Sequence, residues 1–171
     1  MQLKLKPNLS KNKVFEIVKQ YLEQDAFTII NSDENRPWGG FYVIDENQSE
    51  KFIDFFFSDV PDLKTQNFGK LSPKILIVEK GKRLSWQYHF RRAEIWKIIA
   101  GEVGIVRSET DSENELQIKK EGNIITLKQG ERHRLIGLNS WGVVAEIWQH
   151  INKNEPSNED DIVRLQDDFG R

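Results

Sequence analysis

Two short blocks between Gly81 and Gly137 constrain this chain more than any other feature. The first runs Gly81, five residues, Gln87, one residue, His89, four residues, Glu94, six residues, Gly101. The second runs Gly122, seven residues, Gly130, two residues, His133. Side chains two apart in a strand point to one face, so Gln87 and His89 reach the same side of a sheet. A bend at Phe90-Arg91-Arg92-Ala93 lets Glu94 rejoin them, after which Glu94, Trp96 and Ile98 alternate with Ile95, Lys97 and Ile99 as a new strand. His133 must arrive from a distant hairpin. Two imidazoles, one carboxylate and one amide oxygen form an N/O set for one divalent transition metal, with Zn the first choice and Fe, Mn, Co or Ni the alternatives. Four protein ligands leave positions open for water or substrate, so the set is catalytic in type rather than structural.

A lone histidine is more often structural than a ligand. Here the chain has only three histidines, and two of them fall in register with Glu94 and four glycines. His150 matches neither block and is expected to be structural or surface-exposed. From Lys74 onward, Ile75 to Val78, Leu84 to Phe90, Ile95 to Ile99, Val103 to Ser108, Leu116 to Lys119, Asn123 to Leu127 and Val143 to Gln149 read as short strands divided by Gly and charged turns. Many short strands at this spacing imply an all-β sandwich or jelly roll. Residues 27 to 30 and 40 to 44 also look like strands, and Phe52 to Phe57 reads as a strand or a packed loop. Residues 10 to 24 read as an amphipathic helix with Val14, Ile17, Val18, Tyr21 and Leu22 on one stripe and Ser10 as N-cap, packed outside the barrel.

With 171 residues, 37% hydrophobic and 30% charged, the chain suits one domain with a sizeable core plus extensions. A formal net charge of -2 carries no footprint for nucleic acid or anionic membrane. The absence of cysteine excludes disulfides and thiolate ligation and fits a reducing compartment. No signal-peptide core or membrane span is visible, so a cytoplasmic location is expected. Trp86 and Trp96 flank the ligand strands and could wall a pocket. The acidic run Glu159-Asp160-Asp161 reads as the first turn of a short C-terminal helix capped by Ser157 or Asn158. Unpaired strand edges and several aromatic residues predict a homodimer.

The two blocks resemble the paired metal-binding motifs of the cupin superfamily, with Gln87 where the commonest version has a first histidine. More specifically, RPWGGFYVID at 36 to 45, LSWQYHFRRAEIWKIIAGE at 84 to 102, GERHRL at 130 to 135 and EDDIVRLQDDFGR at 159 to 171 resemble the cupin domain of type II mannose-6-phosphate isomerases. That domain usually forms the C-terminal part of bifunctional mannose-6-phosphate isomerase/mannose-1-phosphate guanylyltransferases. The similarity covers about residues 36 to 171 and implies a cupin jelly-roll barrel, preceded by a helical extension over 1–35 and carrying an insertion at 46–73. It implies that Gln87, His89, Glu94 and His133 are metal positions, that Arg92 and Arg134 are motif arginines, and that Arg164, with Arg171 in the same terminal block, acts at the active site. Phe90 and Ile95 replace histidines usual in the family, Lys128 a common proline, and Gly137 the asparagine of the second motif. Residues 1–35 contain no glycine and hence no phosphate-cradling loop, so guanylyl transfer is not expected of this chain.

The resemblance implies a metal-dependent aldose-ketose isomerase acting on a phosphosugar, with mannose 6-phosphate and fructose 6-phosphate as the first pair. Such a reaction needs an electrophile at the carbonyl, a base and a phosphate clamp. A metal serves as the first, and planar guanidinium forks suit the last, with Arg83, Arg92, Arg134, Arg164 and Arg171 as candidates. The base could be a hydroxide at the metal, a pocket carboxylate such as Glu146, or a histidine outside the ligand set. A sugar-binding or regulatory cupin without turnover, and a cupin dioxygenase, are the alternatives.

Overall fold

The computed structural model describes residues 3–6, 8–61, 63 and 70–170. Helix α1 (Lys11–Gln24) begins where the Ser10 hydroxyl accepts a hydrogen bond from the Lys13 amide at 3.4 Å, the expected N-cap. Val14, Phe15, Val18 and Leu22 recur at helical spacing and bury one stripe. Strands β1 (Ile29–Asp33) and β2 (Gly39–Ile44) follow, then a 3-10 turn at Glu46–Gln48 and helix α2 (Ser49–Phe56). The remainder comprises β3 (Lys74–Val78), β4 (Trp86–Tyr88), β5 (Arg92–Ala100), β6 (Glu102–Ser108), β7 (Gln117–Lys120), β8 (Ile124–Leu127), β9 (Arg132–Gly137), β10 (Gly142–His150) and β11 (Val163–Gln166).

These strands form two antiparallel sheets, one in the order β1-β2-β3-β10-β5-β8 and the other β11-β4-β9-β6-β7. The expected all-β jelly-roll class therefore holds. Between the sheets lies one apolar cluster, with Leu76 and Val78 from β3, Trp96 and Ile98 from β5, Ile105 from β6, Leu135 from β9 and Val144 from β10. A second cluster covers the other face of the six-stranded sheet, where Ile75, Ile77, Val143, Ala145 and Ile147 meet α1 and α2. Burial on both faces explains why β3 and β10 read as continuous apolar runs rather than clean alternations. Gly101 turns the chain from β5 into β6 at φ +77°, and a Cβ there would lie 2.2 Å from the Trp141 carbonyl oxygen.

Two local expectations are corrected. Residues 52 to 56 are helical and Phe57 caps the helix: Phe52, Ile53 and Phe56 bury one stripe of α2, a helical spacing hidden by the β-favouring aromatic composition. The C-terminal segment is not a helix. Its residues 163 to 166 form β11, which pairs with β4, and Val163 and Leu165 alternate with the more exposed Arg164 and Gln166. The 46–73 segment contributes the 3-10 turn and α2, while residues 62 and 64–69 within it, like Arg171, lie outside the described residues. The strand β9 was not marked by the sequence pattern, although His133 was expected to come from a hairpin there.

Candidate metal centre

The two sequence blocks converge at one end of the barrel. Glu94 and Arg92 occupy β5 in phase with Trp96 and Ile98, and His133 occupies β9 in phase with Leu135, so all project between the sheets. Gln87 pairs directly with His133 across β4 and β9, and Arg164 pairs with Gln87 across β11 and β4. His89 follows β4 in a turn whose carbonyl accepts the Gly130 amide at 2.9 Å, tying the first block to the second. The ligand atoms of His89, Glu94 and His133 lie within 4.8 Å of one another, and all three residues are buried.

The donor chemistry fits a cation. The Nδ1 of His89 is 2.5 Å from the Asp161 carbonyl oxygen, and that of His133 is 2.9 Å from the Glu131 carbonyl oxygen. A carbonyl only accepts, so each Nδ1 carries the proton and each Nε2 presents a lone pair. His133 Nε2 faces Glu94 Oε2 at 3.5 Å, and neither atom has a hydrogen-bond partner among the described residues. Two buried acceptors facing each other are costly unless a cation sits between them. Burial pushes the His133 imidazole down to about 4, which keeps it neutral and able to ligate. Burial opposes ionisation of Glu94, yet His89, Arg92 and His133 together hold it well below the usual carboxylate range. Arg92 complicates the picture: its Nη2 lies 3.2 Å from His89 Nε2 and its Nε donates to Glu94 Oε1 at 2.8 Å. A metal at His89 would take over the lone pair that Arg92 now contacts. Arg92 would keep Glu94, the Ser157 hydroxyl and the Asn158 carbonyl as acceptors.

Beside this centre is a cavity lined by Gln87, Glu94, Trp96, Glu146, Trp148 and Arg164, with Arg36, Trp38, Phe41, Lys74 and Glu159 on its other walls. Glu146 is buried, and its two oxygens accept the indole N–H groups of Trp96 at 2.9 Å and Trp148 at 3.0 Å. Burial, reinforced by the charge of Glu94 and offset by Lys74 and Arg92, raises its carboxyl to about 7. The chain after β10 crosses the mouth as a strap. Asp161 accepts the amides of Phe90 and Arg91 at 2.9 Å each, and the hydroxyl of Ser157 at 2.6 Å, so the strap that delivers Arg164 also orients His89.

Residues 62–167, more than half of the chain, match the protein family described as mannose-6-phosphate isomerase C-terminal. The chain belongs to that family. Among curated relatives it is 27% identical over 159 residues to a mannose-1-phosphate guanylyltransferase of Salmonella montevideo, an alignment covering 93% of this chain and 27% of the relative. It is 28% identical over 136 residues to the xanthan biosynthesis protein XanB of Xanthomonas campestris pv. campestris, covering 80% of this chain and 23% of the relative. The chain thus spans about a quarter of the length of these proteins. A likeness in fold alone links it to the crystal structure of vicilin from tomato, at TM-score 0.54 and 17% identity over 81% of this chain and 35% of the other.

The family's pattern can now be placed. Gln87, Arg92 and Arg164 line the cavity, and the Gln87 Oε1 accepts the Ser85 hydroxyl at 2.5 Å. Arg83 and Arg134 lie outside it: Arg83 makes paired hydrogen bonds to Asp168 at 2.6 and 2.8 Å, and Arg134 is ion-paired with Glu113 at 2.5 Å. Arg171 lies outside the described residues. The two departures from family histidines face away from the cavity, since Ile95 packs in the outer apolar cluster and Phe90 is 59% exposed. Glycine at 137 has a local cause: a Cβ there would lie 2.1 Å from the Glu79 carbonyl oxygen. His150 is buried, and its Nδ1 accepts the Ser157 amide at 2.9 Å, a structural role. Sequence reading missed Lys74 and Asp161. Lys74 was detectable as a charge in phase with Leu76 and Val78 on the inward face of β3, whereas nothing local marked Asp161.

Proposed function

We propose that this chain is a metal-dependent aldose-ketose isomerase acting on a phosphosugar, with mannose 6-phosphate and fructose 6-phosphate as the first pair to test. The observation that carries this reading is a cavity beside the His89, Glu94 and His133 donor set whose lining joins Glu94 of that set to the buried carboxylate Glu146 and the cationic side chains Arg36, Lys74, Arg92 and Arg164. Four basic residues outnumber the acidic Glu94, Glu146 and Glu159 on its walls, and a divalent ion would add further positive charge, which favours an anionic ligand.

His89, Glu94 and His133, with Gln87 beside them, would hold the cation, zinc being the first choice for this donor set. When bound, such an ion supplies Lewis acidity at the carbonyl and hydroxyl oxygens of a sugar. Glu146 is the proposed base. It takes the proton from C2 of the aldose and returns it to C1, while the hydroxyl proton moves from O2 to O1. A carboxyl titrating near 7 is matched to both halves of that transfer. Each of its oxygens keeps a lone pair beyond the one used by an indole N–H, so the Trp contacts orient the base without blocking it. Arg164, opposite Gln87, supplies a planar fork for substrate oxygens.

A coupled isomerase assay on zinc-loaded protein, with mannose 6-phosphate among a panel of sugar phosphates, tests the reading. Turnover is expected with at least one phosphosugar, and His89→Ala with His133→Ala should abolish both metal content and activity. Tight phosphosugar binding with no turnover across the panel would replace this reading with that of a binding module.

A further inference from the structure

We infer that Lys74 is the anchor for the ligand's phosphate and that Glu159 takes the phosphate's place in the free protein; the inference rests on the phosphosugar reading above. Lys74 opens β3 on the face it shares with Leu76 and Val78, and its side chain is only 7% exposed. A buried ammonium requires anions close by. Two carboxylates meet that need in different ways. Glu146 is its direct partner across β3 and β10 and belongs to the barrel wall. Glu159 is ion-paired with the Nζ, but its side chain is 72% exposed and belongs to the strap over the cavity mouth. Glu159 is therefore the partner that can leave without opening the barrel.

The surroundings of Lys74 suit a phosphate better than a carboxylate. Its Nζ lies 4.2 Å from the centre of the Trp148 ring and 5.7 Å from that of Phe41, while the Arg36 guanidinium lies 5.6 Å from the same Phe41 ring. Two cations thus flank one aromatic residue, Arg36 being paired with Asp33 at 2.8 Å and Lys74 with the exposed Glu159. Trp38, buried in the lining of the same cavity, has an indole N–H without a hydrogen-bond partner among the described residues. A phosphomonoester brings nearly two negative charges and three acceptor oxygens to a buried ammonium, whereas Glu159 brings one charge and two oxygens. The register also sets the spacing. Lys74 pairs with Glu146 on β10, and Glu146 pairs with Trp96 on β5, the strand that carries Glu94. The metal ligand, the base and the ammonium therefore lie on successive strands; two strand spacings across the sheet and two residues along β5 put the two ends about 12 Å apart. A sugar phosphate laid across β10 would place its reacting carbons at Glu94 and Glu146 and its phosphate at Lys74.

The test is calorimetric titration of zinc-loaded wild type, Lys74→Met, Lys74→Arg and Glu159→Gln with mannose 6-phosphate, mannose and inorganic phosphate. Lys74→Met should weaken mannose 6-phosphate at least tenfold, about 1.4 kcal/mol, and leave mannose and zinc content unchanged. Lys74→Arg should recover most of that loss, and Glu159→Gln should tighten both phosphate-bearing probes. Unchanged mannose 6-phosphate affinity in Lys74→Met, or an equal loss for mannose, would overturn the inference. Should the wild type bind no mannose 6-phosphate, the isomerase reading fails for that sugar and inorganic phosphate decides on Lys74 alone. Loss of phosphate binding in Lys74→Met supports the anchor; equal or absent phosphate binding in both proteins rejects it.

Discussion

The two faces of the six-stranded sheet are built from the same strands and are used in opposite ways. On β10, Val143, Ala145 and Ile147 face α1 and α2, while Val144, Glu146 and Trp148 face the barrel interior. The outer cluster holds no charged residue, and its rings include an edge-to-face pair, Phe27 at 5.9 Å from Phe52, and a stacked pair, Phe27 at 5.8 Å from Phe56. The inner face is apolar at one end only. At the other it buries Glu94, Arg92 and Glu146, and Glu94 Oε2, facing His133 Nε2 of the opposite sheet, has no hydrogen-bond partner among the described residues. Desolvation of these charged and polar groups opposes folding, so the outer core must supply the stability that the inner site consumes. Stability and chemistry are thus separated across the thickness of a single sheet.

Substitutions on the two faces should therefore fail differently. The largest effect is expected outside: Phe52→Ala empties a fully buried site and should cost about 3–5 kcal/mol in urea denaturation. Metal stoichiometry of the folded fraction should not change, and loss of metal would break the proposed separation. Inside, Glu146→Gln should change the pH dependence of stability in the metal-free protein. A folded-state carboxyl at about 7, against an ordinary value of 4.5, binds a proton that the unfolded chain has already released. Wild type should consequently lose stability relative to Glu146→Gln as pH rises from about 4.5 to about 7, by about 3 kcal/mol in all, and the difference should be constant above that range. A parallel pair of stability curves would show that burial of the Glu146 charge does not oppose folding.

Smaller effects probe the strap. Asp161→Ala removes the acceptor for the Phe90 and Arg91 amides and loosens the carbonyl that orients His89. Zinc affinity, measured by chelator competition, should fall about 10- to 100-fold while thermal stability changes little. The smallest change is Arg164→Lys, which keeps charge but loses the fork. It should lower turnover about tenfold, about 1.4 kcal/mol, with zinc content unchanged. Parallel losses of metal and turnover in this variant would make β11 a structural strand rather than a carrier of a substrate contact.

Local physics alone determined a large part of this protein. Period-two alternation and glycine punctuation marked most of the strands, the Ser10 cap and a 3.6-residue stripe marked α1, and the intervals among His89, Glu94 and His133 marked the donor set. The strands, the helix and the Gln87–His89 pair follow from backbone repeat, which the order of residues states directly, whereas His133 was joined to them by the resemblance to paired cupin motifs. Elsewhere local preference was ambiguous. The aromatic run at 52 to 57 favours strands by composition yet buries a helical stripe, and the run after 159 begins with helix-start residues yet forms a strand at Val163–Gln166. The tertiary fold resolved both by offering an uncovered sheet face to the first and an open edge of β4 to the second. The same holds for function: Asp161 meets His89 across 72 positions, and the cavity admits Arg36 and Lys74 while leaving Arg83 and Arg134 outside. A side chain's residue type determines which bonds it can make, but strand register and sheet closure decide which partner stands within reach.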